Sequence, residues 1–105
     1  MKLNLSERFA LQKLLFKIEG DFLTIKIINQ LRLDLAPSEE EIKEFEIQSE
    51  DGKIFWNEKG IEEKEIPIGE KADKIIKEAL EILDRSKKLT SGYLNIYEKF
   101  IINKE

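Results

Sequence analysis

The dipeptide Asp51-Gly52 constrains the fold of this chain more than any other feature. Asp-Gly favours a type I′ turn, whose twist matches that of two paired strands, and short apolar stretches flank it on both sides. The register this implies sets Glu50 opposite Lys53, Ser49 opposite Ile54 and Ile47 opposite Trp56. Phe45, Ile47, Ile54 and Trp56 then share one face, which is expected to be buried. Glu46, Gln48 and Phe55 fall on the other.

Around that hairpin the apolar residues recur at helical spacing. Ser6 predicts an N-cap for a first helix over 7–18, with Phe9, Leu11, Leu14, Leu15 and Ile18 on one side and Gly20 as its stop. Asp21 predicts a cap for a second helix through Leu35. There Leu23, Ile27, Ile28, Leu31 and Leu35 lie on one face. The rival reading is a strand, because Leu23, Ile25 and Ile27 also alternate. Ser38 followed three residues on by Glu41 is a capping box for a short helix over 39–44, with Ile42 and Phe45 turned inward. After a charged loop, Glu65–Ile68 is a candidate third strand at a sheet edge, where Pro67 is tolerated. Gly69 opens the longest helix, striped by Ala72, Ile75, Ile76, Ala79, Leu80, Ile82 and Leu83 to about Lys87. Thr90 or Ser91 then caps a closing helix carrying Tyr93, Leu94, Tyr97, Phe100 and Ile101, and the last residues should fray. The expectation is a small single α+β domain over 1–105: N-terminal helices, a central β-hairpin with two or three strands, and two C-terminal helices.

Composition limits the chemistry. Apolar residues form 41% of the chain and charged residues 38%, a balance that supports a folded core but is more charged than average. Glu, Lys and Ile supply the excess, as an AT-rich genome or a hot habitat would. There is no cysteine, so thiolate metal sites, disulfides and Cys nucleophiles are excluded. There is no histidine either, which removes the commonest general base and transition-metal ligand. No phosphate-binding glycine loop is present. No catalytic residue, cofactor site or metal site is expected. Runs of adjacent glutamates read as solvated surface, because a general acid needs a carboxyl in an apolar pocket. No signal-peptide layout occurs, and no apolar run approaches the roughly 18 residues of a membrane span. A cytoplasmic location away from membranes is the expectation.

Charge is unevenly spread: net +2 over 1–36, −8 over 37–70 and +2 over 71–105. Helix, helix, short helix, hairpin is the order of a winged helix-turn-helix without its usual small strand. Arg8, Lys13, Lys17, Lys26 and Arg32 would then face phosphates. Against that reading, the recognition-helix position holds Glu39, Glu40 and Glu41, which phosphates repel.

The residues from Ser38 onward carry a further pattern: Ser38-Glu39-Glu40-Glu41, Phe55-Trp56-Asn57, the run from Glu65 to Lys71, and Leu94-x-x-Tyr97-Glu98-Lys99-Phe100. With the early Arg8 and Gly20, this resembles small uncharacterised proteins of phages and prophages. The resemblance implies a viral or mobile-element setting and brings no activity, cofactor or functional residue with it. The expected function is therefore non-enzymatic contact with another protein, or with a second copy. The candidate contact residues are Glu39, Glu40 and Glu44 on the acidic centre, Phe55 on the hairpin's outer face, and Tyr93 and Tyr97 on the last helix. Phe55 stands out unless the terminal helices cover it. The alternative is a winged-helix-like nucleic-acid module using the basic N-terminal helices.

Overall fold

The computed structural model describes residues 1–103, and the last two lie outside the described residues. The chain forms β1 (Lys2–Leu3), α1 (Leu5–Phe16), α2 (Phe22–Leu35), α3 (Glu39–Glu44), β2 (Gln48–Glu50) and β3 (Lys53–Phe55). A 3-10 turn (Glu58–Ile61), β4 (Lys64–Glu65) and α4 (Glu70–Arg85) follow. The chain closes with a 3-10 turn (Ser91–Tyr93), α5 (Leu94–Tyr97) and a wider π-type turn (Glu98–Ile102). The fold is α+β, as the hairpin between helical halves predicts.

The strands do not join into one sheet. β2 pairs with β3 in the predicted register, Glu50 with Lys53 and Ser49 with Ile54. The third strand begins earlier than expected and pairs elsewhere: β4 runs antiparallel to β1, with Lys2 opposite Glu65 and Leu3 opposite Lys64. This short ladder draws the start of the chain into the molecule and buries Leu3 and Ile66 in the main core.

Three helix starts follow from side-chain chemistry. Asp21 caps α2 through the Thr24 amide, and Ser38 and Glu41 form the expected capping box on α3. The first helix starts two residues earlier than Ser6 predicts. Asn4 is its cap, and Glu7 reaches back to the Asn4 amide at 2.8 Å. Asn4 and Ser6 are both good caps; Asn4 has the glutamate three residues on that completes a capping box. Gly20 is not the stop of α1, which ends at Phe16. What Gly20 provides is space, since a Cβ there would press on the methyl of Thr24.

Two helices end on a left-handed residue that is not glycine. After α3, Glu46 has φ of 52°, its amide donates to Lys43, and the Ile47 amide donates to the Ile42 carbonyl at 3.0 Å. After α4, Lys87 has φ of 59°, and the Lys88 amide donates to the Leu83 carbonyl at 2.8 Å. Both are Schellman ends, which satisfy carbonyls that no helix residue can reach. Without a glycine at either place, the sequence carries no stop signal there.

The core gathers Leu3, Leu11, Leu14, Leu15, Ile28, Leu31, Leu35, Ile66, Ile76, Leu80, Ile96 and Phe100 from every helix but α3. Most of the predicted apolar faces reach it, but Leu23, Ile42, Ile54, Ile82 and Leu94 remain exposed. Ile54 is exposed because the hairpin projects past the helices. Only its root, Phe45 and Trp56, reaches the body of the protein. Ile42 is exposed because α3 is a single short helix that buries no residue of its own.

One buried charge organises the N-terminal half. Arg8 is only 2% exposed. Its Nη1 and Nη2 donate to the two carboxylate oxygens of Glu41 at 2.6 and 3.1 Å, Nε to the Leu35 carbonyl at 3.1 Å, and Nη2 also to the Ala36 carbonyl at 3.2 Å. Glu41 additionally accepts from the Ser38 amide and from Lys64. These donors, Arg8 first, lower the Glu41 pKa from the usual 4.5 to about 2. A carboxyl that binds its proton less tightly when folded stabilises the fold fully above pH 4.5 and progressively less as pH falls toward 2. Urea unfolding at pH 7, 4 and 3 should therefore show a steep acid loss in the wild type. In Glu41→Gln that loss should be smaller by on the order of 2 kcal/mol.

Candidate contact surface

Three of the four most exposed large apolar side chains, Phe16, Phe22 and Leu33, lie on α1 and α2; the other, Ile61, is 78% exposed at the end of the 3-10 turn Glu58–Ile61. On α1, Leu5, Phe9, Gln12 and Phe16 follow one another along one side of the helix. Trp56 covers the first half of this stripe, its ring centroid 5.4 Å from that of Phe9. Buried Gly60 lies against the other side of the indole, where a Cβ would overlap the ring. The second half of the stripe is uncovered: Phe16 is 74% exposed, and Arg32 of α2 stands over its ring at 5.3 Å. On α2, Phe22 and Leu33 lie eleven residues apart, three helical turns and so the same side; they are 82% and 71% exposed. Lys26 and Asn29 lie between them, and Lys13 borders the α1 side.

The sequence signal for this surface was present in the helix stripes. Phe16, Phe22 and Leu33 fall outside the faces defined by Leu11, Leu14 and Leu15 and by Ile28, Leu31 and Leu35. An apolar residue out of register with its own stripe points away from the core.

The predicted contact residues divide. Glu39, Glu40 and Glu44 are exposed on α3, and among the described residues none is in an ion pair. Phe55 is half exposed, opposite Gln48 in the ladder. Tyr93 is not on the surface: at 3% exposed it belongs to the core, with Lys17 lying 5.8 Å over its ring. Its hydroxyl is buried and has no hydrogen-bond partner. It faces inward because the 3-10 turn at Ser91–Tyr93 packs on α1. Tyr97 is half-buried and donates to Asp84 at 3.2 Å. Of the basic groups on the first two helices, Arg8 is committed to Glu41.

A concavity of about 900 Å³ runs between the β1–β4 ladder, α4 and the closing turn. Most of its charges are paired, the Met1 amino group with Glu65 among them, while Lys2 and Glu70 are in no ion pair among the described residues. Lys77 pairs with Asp73, and Lys99 with Glu63 and with deeply buried Glu7. The Lys99 hydrogen bond lowers the pKa of Glu63, and the Met1 amino group lowers that of Glu65. A general acid needs the opposite shift. Among the described residues no group of three acidic side chains is placed to hold a metal, and no helix is long and apolar enough to cross a membrane.

Comparison with protein-family models, curated proteins and solved structures finds no match. The functional reading rests on the chain's own geometry.

Trp56 is the single tryptophan, so its cover can be read by fluorescence. Gly60→Ala should drive the indole off Phe9 and shift its emission to longer wavelength. Because a tight contact is broken, stability should fall by about 1–3 kcal/mol in urea unfolding. Unchanged emission would show that Gly60 does not seat the ring.

Proposed function

We propose that this chain is a non-enzymatic, phage- or prophage-type protein that acts by binding another protein. The observation that carries this reading is the uncovered Phe16–Phe22–Leu33 surface, rimmed by Lys13, Lys26 and Arg32. Apolar side chains this exposed gain roughly 1.5–3 kcal/mol each when a partner removes them from water. Monomeric surfaces seldom group several such residues without a use for them. The charged concavity lends a catalytic reading no support: Lys99 and the Met1 amino group hold Glu63 and Glu65 on its wall in the ionised form, the opposite of what a general acid needs.

The nucleic-acid alternative has less support. Arg8 is withdrawn from the surface by Glu41, and the six residues of α3 would bring Glu39, Glu40 and Glu44 toward phosphates.

The test compares the wild type with Phe16→Ser/Phe22→Ser as immobilised baits in a lysate of the source cells. The double variant should lose at least tenfold of whatever the wild type captures specifically. Its unfolding free energy should stay within about 0.5 kcal/mol of the wild type's, since both rings already face water. Equal capture by the two baits would contradict the reading.

A further inference from the structure

We infer that the partner covering the α1–α2 face is a second copy of this chain, docked head to tail through its acid-rich α3–hairpin region. This deepens the contact reading above and rests on it. The two regions share one design with opposite charge. On the first, Phe16, Phe22 and Leu33 are framed by Lys13, Lys26 and Arg32; of the three carboxylates in the same stretch, Asp21 caps α2, Asp34 accepts from Gln30 and Glu19 is exposed, which leaves residues 13–34 with a small positive net charge. On the second, Ile42, Ile54 and Phe55 are exposed among carboxylates. Residues 39–55 hold seven acidic groups against Lys43 and Lys53. One of the seven, Glu41, is taken by Arg8; Glu39, Glu40, Glu44, Glu50 and Asp51 have no ion pair among the described residues.

An apolar centre supplies affinity, while complementary charge around it steers the encounter and sets orientation. The hairpin adds a second reason. All six of its strand residues are exposed, and a two-stranded ladder with neither face covered is marginal in water. Docking on the α1–α2 face of another copy would cover it. The acidic region cannot turn back on its own basic face, because Arg8 clamps the start of α3 to the end of α2. The two docking regions differ, so the contact is heterologous. Each copy keeps one region free after the first contact, and assembly continues into a ring or an open chain.

Sedimentation velocity on three full-length proteins tests this: the wild type, Lys13→Glu/Lys26→Glu and Glu40→Lys/Glu44→Lys. All four substituted side chains are exposed, and circular dichroism verifies folding. The wild type should associate beyond dimers as concentration rises, and at least tenfold more weakly when salt is raised from roughly 50 to 500 mM. Each variant alone should associate at least tenfold more weakly than the wild type. Their equimolar mixture should recover association, since each contributes its one intact region and the two reversed regions again carry opposite charge. A mixture that stays monomeric overturns the inference, and so does a wild type that is monomeric at all concentrations. A monomer that pellets with anionic phospholipid vesicles overturns it equally. Such a result leaves the wider contact reading standing if capture still depends on Phe16 and Phe22.

Discussion

The Arg8–Glu41 pair holds the N-terminal half together, and its strength comes from where it sits. The last carbonyls of a helix have no partner within the helix, and Arg8 supplies one to Leu35 and one to Ala36 at the end of α2. Positive charge suits that end of a helix dipole, and negative charge suits the start of the next helix, where Glu41 lies. The guanidinium's flat fork meets both carboxylate oxygens, as a lysine could not. A single side chain of α1 thereby fixes how α2 turns into α3, and so the direction in which the hairpin leaves the body.

Its sequence neighbour does the same on another side of α1. Glu7 closes the capping box with Asn4 and accepts from Lys99, which also donates to the Lys2 carbonyl and to Glu63. The closing turn is thus tied to the first helix, to β1 and to the loop before β4. Burying two adjacent opposite charges is tolerable because each has several partners. Removing one partner would leave the other unpaired, which is where large losses arise. With Arg8 and Glu7 so occupied, what remains exposed in this half includes Phe16 and Phe22, Lys13 and Lys26 beside them, and the carboxylates of α3.

Local signals in the sequence were legible. The Ser38–Glu41 box, the Asp21 cap, the Asp51-Gly52 register and the long stripe of α4 each depend on residues a few positions apart, and each matches the structure. Features that depend on distant partners were not. The β1–β4 ladder joins pairs of residues more than sixty positions apart. Arg8 reads as a solvent-facing base because its partner lies 33 residues away and its other acceptors are backbone carbonyls. Ile54 reads as buried because alternation shows which face is apolar, not whether anything packs on it. Helical spacing puts Tyr93 on one stripe with Tyr97 and Phe100 and leaves open whether that stripe is core or contact surface; the 3-10 turn at Ser91–Tyr93 sends Tyr93 inward. The candidate surface is legible only in part: the carboxylates of α3 and Phe55 stand out locally, whereas the exposure of Phe16 and Phe22 depends on how α1 and α2 pack.

The most direct measure of the central claim is a double-mutant cycle between Arg8→Met and Glu41→Leu, read by urea unfolding at pH 7. If the pair acts as one unit, each single change costs about 3–5 kcal/mol by stranding its partner. The double change should then cost no more than either alone, a coupling of about 3 kcal/mol. Single losses that simply add, with coupling below about 0.5 kcal/mol, would mean that the two charges do not hold α1, α2 and α3 together.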